Sequence, residues 1–126
     1  MAVGSGITCT LAAVAAGLLM ACEPCDTSVV PSIVVEVVDS VTGEAAASGA
    51  LGLATDDSYT DTLVVYALDA TGRPLSLASR GEREGNYSVR VLQTGYAVWE
   101  RGNVRIRSEG CHTNQAELTA RLQPAP

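Results

Sequence analysis

Three stretches in the second half of the chain alternate apolar and polar residues with a period of two. Tyr87, Val89 and Val91 alternate with Ser88, Arg90 and Leu92. Val104 and Ile106 alternate with Asn103, Arg105 and Arg107, and Ala116, Leu118, Ala120 and Leu122 with Glu117, Thr119 and Arg121. Successive side chains of a strand point to opposite faces. Strict alternation therefore puts one face in a core and the other in water, as antiparallel sheets do. Earlier in the chain Ile33, Val35 and Val37 alternate with Val34, Glu36 and Val38, which predicts a strand apolar on most of both faces. Further strands are expected at Ala50 to Ala54, at Leu63 to Leu68 and, short, at Leu75 to Ser79. Asp39 to Gly43 and Asp69 to Gly72 share one turn chemistry, in which Asp caps and Gly accepts positive φ. The sum is about seven short strands, almost no helical signal between them, and an all-β antiparallel sandwich.

The chain has 126 residues, which suits one domain. Removing residues 1–21 leaves 126 − 21 = 105, near the size of an Ig-like sandwich. Charge is uneven. Cys22 to Gly72 carries nine acids and no base, and Arg73 onward carries eight Arg against five Glu; −9 and +3 sum to the net −6. A polarised surface facing a charged partner is one reading. The favoured one is that the halves interleave and pair acids with arginines across strands. An acidic chain with no basic cluster argues against nucleic-acid binding.

Residues 2–21 are uncharged, and Ile7 to Ala21 is an apolar run ending at Leu19-Met20-Ala21-Cys22. Polar sequence begins at once with Glu23, Pro24 and Asp26. A short apolar run before small residues reads as a secretory signal, and it falls below the roughly 20 residues of a membrane-spanning helix. A signal-peptide helix is thus expected over 1–21. Leu19, Ala21 and Cys22 resemble a bacterial lipobox, in which the cysteine receives lipid and becomes the mature N-terminus. The resemblance implies lipidation of Cys22 and, with Glu23 next to it, an outer-membrane anchor at the cell envelope of a Gram-negative host. The alternative is an ordinary cleaved signal or an uncleaved anchor, with Cys22 free to pair. Of the other cysteines, Cys9 leaves with the signal. Cys25 and Cys111 remain in an oxidising compartment, where two thiols tend to pair. The alternative for Cys25 is a second free thiol near the membrane. Residues 22–31 read as a tether, 32–123 as the sandwich and 124–126 as a frayed tail.

Val37-Val38-Asp39-Ser40-Val41-Thr42-Gly43 resembles the opening of the carboxypeptidase regulatory-like domain, a transthyretin-like sandwich. Gly85-Asn86-Tyr87-Ser88-Val89-Arg90-Val91, followed by Gly95-Tyr96, is similar to a later segment of that family. The similarity spans Ser32 to about Gln123. It implies a non-catalytic accessory module of exported and cell-envelope proteins, and it carries over no functional residues.

Catalytic machinery is not legible. There is one histidine, His112, and no nucleophile motif, phosphate loop or recognisable carboxylate pair. No cofactor is expected. Cys111-His112 alone is far from a four-ligand metal site. Asp56-Asp57-Ser58-Tyr59-Thr60-Asp61 lacks the spacing of a calcium loop and reads as a solvated loop. Among the aromatics, Trp99 and Tyr96 are the candidate ligand contacts, although core or corner packing is the plainer role for both. The expected partners are the membrane, through lipid, and an envelope protein or glycan. The chain is expected to be a monomer with a structural or binding role, or else a carbohydrate- or peptide-binding module, with an enzyme as the least favoured reading.

Overall fold

The computed structural model describes Cys25 and residues 28–126. The signal segment 1–21, Cys9 and Cys22 lie outside the described residues. The strands are β1 (Ile33–Asp39), β2 (Leu51–Asp56), β3 (Tyr59–Thr62), β4 (Val64–Leu68), β5 (Pro74–Ala78), β6 (Gly85–Leu92), β7 (Trp99–Ile106), β8 (Ser108–Glu109), β9 (His112–Thr113) and β10 (Ala116–Leu122). They form two four-stranded sheets, ordered β10-β1-β5-β4 and β3-β2-β6-β7, and a small β8–β9 ribbon. The described residues contain no helix. The described residues therefore form the all-β sandwich that the alternation predicts.

Alternation places the core. Ile33, Val35 and Val37 of the first sheet face Tyr87, Val89 and Val91 of the second, all buried, with Leu77 and Leu122 closing the layer. Each such side chain contributes about 1.5–3 kcal/mol on leaving water. The two Asp-Gly turns use one device. Asp39 Oδ1 accepts the N–H groups of Val41 and Thr42, and Asp69 Oδ1 those of Thr71 and Arg73. Gly43 and Gly72 take positive φ, 77° and 88°. The charge halves do meet: Arg73 pairs with Glu44 at 4.0 Å and Arg83 with Asp56 at 3.3 Å.

Three expectations are corrected. Pairing is not antiparallel throughout, because β10 runs parallel to β1, from Ala116 beside Ile33 to Leu122 beside Asp39. The alternation in β10 says which face is buried and carries no information on direction. Second, the acidic loop is a hairpin: β3 pairs with β2 around a turn in which Asp57 has φ 49°. Of its residues only Asp61 turns inward, so no apolar alternation marked it. Third, the tail does not fray. Ala125 donates to the Gly95 carbonyl, and the Gln123 carbonyl accepts from Ala97, both at 2.8 Å.

Between β3 and β4 the chain passes from one sheet to the other at Leu63, a buried residue whose N–H donates to the Gly52 carbonyl at 2.8 Å. A Cβ at Gly52 would meet Leu77 Cδ1 at 2.9 Å and Leu63 Cδ1 at 3.0 Å. Gly52→Ala should therefore destabilise the domain by about 1–3 kcal/mol through overpacking. Urea unfolding of the two proteins checks this, and equal midpoints would show that the site relaxes.

Candidate functional site

The N-terminal segment is stitched to the sandwich at three points. Cys25 forms a disulfide with Cys111, in the turn between β8 and β9. Glu82, in the loop before β6, accepts the N–H groups of Val30 at 3.0 Å and Thr113 at 2.9 Å, and His112 Nδ1 at 2.8 Å. Next to it the Ser79 hydroxyl accepts the N–H groups of Ser32 and Ile33, both at 3.1 Å. The described part of the expected tether is thus bound to the domain. These contacts join residues 30–86 positions apart in sequence, so no local motif marks them. Glu82 in Gly81-Glu82-Arg83-Glu84-Gly85 looks like a solvated loop carboxylate until its partners are placed around it. Its pKa is lowered, first by the Val30 N–H and next by His112.

Behind the stitch lies a cavity of about 210 Å³ at the end of the sandwich. Its polar groups are engaged. Ser32 and Ser79 Oγ both donate to the Gly81 carbonyl at 3.2 Å. Asp61 Oδ2 accepts the Arg80 N–H at 3.0 Å. Arg83 stacks on the Tyr59 ring at 4.0 Å and donates to the Tyr87 hydroxyl, which donates back to the Arg83 carbonyl. The one histidine is held by Glu82, so no base lies hydrogen-bonded to either serine. The carboxylates of the β2–β3 hairpin diverge, Asp56 to Arg83 and Asp61 to the Arg80 backbone. Among the described residues no group of three or more ligands could hold a metal.

Tyr96 and Trp99, the candidate ligand contacts, are both half-buried and packed against the core. The Tyr96 hydroxyl donates to Asp39 Oδ2 at 2.7 Å. This bond lowers the Asp39 pKa and raises that of Tyr96. Tyr96 therefore ties the end of β1 to the loop before β7. Trp99 lies under Arg101, 5.4 Å from its guanidinium. They form no open aromatic platform.

Two tyrosines are exposed among the described residues: Tyr59, under Arg83, and Tyr66, 54% accessible, on β4. On the outer face of the first sheet a shallow groove of about 540 Å³ is lined by Val34, Glu36, Tyr66, Ser76, Glu117 and Thr119. Among the described residues neither glutamate has an ion pair. The groove offers a ring, an apolar floor and polar rims, the ingredients of a binding face. The run Val64-Val65-Tyr66-Ala67-Leu68 is uncharged, but nothing in it marks the ring as exposed; the edge position of β4 does that.

No family model matches the chain, and no curated protein matches its sequence.

Two predictions follow from the stitch. Cys25→Ser with Cys111→Ser should lower stability by about 2–4 kcal/mol, because the bond closes a long loop in the unfolded chain; guanidinium unfolding of both proteins measures this. The pH dependence has a definite sign. A carboxylate whose folded pKa lies below its unfolded 4.5 stabilises fully above pH 4.5, and that stability is lost as pH falls through the folded pKa. Glu82→Gln should therefore flatten the acid limb of a plot of Tm against pH. An unchanged limb would assign acid unfolding to other carboxylates.

Proposed function

We propose that the chain is an exported lipoprotein: a signal peptide is removed, Cys22 carries lipid, and the sandwich serves a non-catalytic structural or binding role at the cell envelope, on the outer membrane. The observation that carries this reading is the Cys25–Cys111 disulfide. Disulfides persist in oxidising compartments. This one fixes the domain three residues from Cys22, a span of about 10 Å when extended. Glu82 adds a second hold on the same segment through Val30. A lipidated Cys22 would thus keep the domain against the bilayer with little freedom to swing. Acyl chains bury methylenes at about 0.8 kcal/mol each, and more than one chain gives stable attachment. The resemblance to the carboxypeptidase regulatory-like domain agrees with such an accessory role.

A second reading, a carbohydrate- or peptide-binding module, is favoured by the groove beside Tyr66. Its ring could lie against a sugar face, and Glu36, Glu117 and Thr119 supply hydrogen-bonding groups around it.

Intact mass of the protein from its native host tests the main reading. The expected species begins at Cys22, carries added acyl mass and lacks two hydrogens. A species that retains residues 1–21, or has no lipid, overturns it.

A further inference from the structure

The chain has three asparagines, and the fold employs two of them. Asn114 Oδ1 accepts the Arg107 N–H at 2.6 Å, and its Nδ2 donates to the Arg105 carbonyl at 3.3 Å. Asn103 takes φ 56° at the irregular step of the β6–β7 ladder, a conformation that asparagine adopts more readily than most residues. Asn86 does neither. It stands in β6, where asparagine is a poor strand former, and its exposed amide makes one long bond, to Asn103 Oδ1 at 3.4 Å. Packing gives no reason for an asparagine at this position. Its neighbours in sequence do. Asn86-Tyr87-Ser88 has the form Asn-x-Ser with x other than proline, the acceptor motif for an N-linked glycan. Asn103-Val104-Arg105 and Asn114-Gln115-Ala116 lack the hydroxyl two positions on. Glu84, also exposed, stands two positions before Asn86, where bacterial oligosaccharyltransferases read an acid.

We propose that Glu84-Gly85-Asn86-Tyr87-Ser88 is an N-glycosylation acceptor, modified at Asn86 by an oligosaccharyltransferase that draws on a polyprenyl diphosphate-linked oligosaccharide. The proposal rests on the exported reading above, because that donor is used outside the cytoplasm. In the transfer, Asn86 Nδ2 bonds to the anomeric carbon of the first sugar as the bond from that carbon to the diphosphate oxygen breaks. The amide loses one proton and polyprenyl diphosphate leaves. The Ser88 hydroxyl and the Glu84 carboxylate are recognised by the transferase and are not consumed.

The fold admits the modification both before and after it closes. A transferase must draw the acceptor amide away from the chain, which a paired strand resists. The ladder from β2 to β6 stops at Ser88, opposite Thr55, so Asn86 lies beyond it and is paired by β7 alone, beside Arg105. β7 follows β6 in the chain and is exported after it. Asn86 is therefore reachable until β7 pairs. In the closed sheet Asn86 and Ser88 both face outward and are exposed, while Tyr87 between them is buried. A sugar on Asn86 thus projects into solvent and displaces no core side chain.

The test is mass spectrometry of a tryptic digest of the full chain made in its native host. Cleavage after Arg83 and Arg90 releases Glu84–Arg90, which holds the whole motif. That peptide should carry carbohydrate on Asn86 through a link that survives mild alkali. Asn86→Gln, Ser88→Ala and Glu84→Gln should each abolish the added mass, and Ser88→Thr should keep it. All three positions are exposed, and formation of the Cys25–Cys111 bond in each variant shows that it was exported and folded. An unmodified peptide, a sugar on Ser88 that alkali removes, or a sugar retained in Ser88→Ala or Glu84→Gln overturns the proposal. The same digest separates the two readings. An unmodified peptide from a chain that lacks residues 1–21 and has the Cys25–Cys111 bond overturns glycosylation alone. An unmodified peptide from a chain that keeps residues 1–21 and free thiols overturns export with it.

Discussion

The sandwich depends on the position of β1 between β10 and β5. Its inward residues Ile33, Val35 and Val37 are almost wholly buried, and its ladder on one side comes from the far end of the chain. Few of the other contacts are so consequential. β1 is where the two ends of the sequence are joined, and both the stitch at Glu82 and the corner bond from Tyr96 to Asp39 brace it, one at each end. Its outer face is mixed: Val34 is half-buried, Glu36 exposed and Val38 buried.

The parts of the fold legible in the sequence are those set by side-chain period. β6, β7 and β10 were visible because one residue in two had to face a core, and the inward register of Tyr87 follows directly. The Asp-Gly turns were visible because their chemistry is local. The hairpin strand β3 was not, since it contributes a single inward side chain and its pairing comes from β2. The direction of β10 was not, because period is the same in parallel and antiparallel strands. For the site, the Cys25–Cys111 pair could be reached by counting thiols, whereas Glu82 could not: its three partners are 30, 31 and 52 positions away. The exposure of Tyr66 is a property of its strand lying at an edge, which no window of sequence contains.

Polar groups at the disulfide-bonded end of the molecule are spent on the backbone. Ser79, Glu82 and Asp61 all accept main-chain N–H groups, which satisfies donors that would be costly to bury unpaired. This is why a cavity lined by serines, acids and an arginine resembles a chemical site without the geometry of one. The outer face of the first sheet differs, since Glu36 and Glu117 there pair across strands with Thr119, Ser76 and Val34 and with no arginine.

The parallel β10–β1 pair has a consequence for how the molecule is made. Ile33 and Ala116 are 116 − 33 = 83 positions apart, and contacts that distant form late and slowly. A ribosome or a translocon delivers β1 first and β10 last. Through nearly the whole of that passage β1 has an open flank, and it is among the most apolar segments of the domain. The flank of β1 is therefore closed only when β10 arrives, and until then this apolar edge is open to other strands.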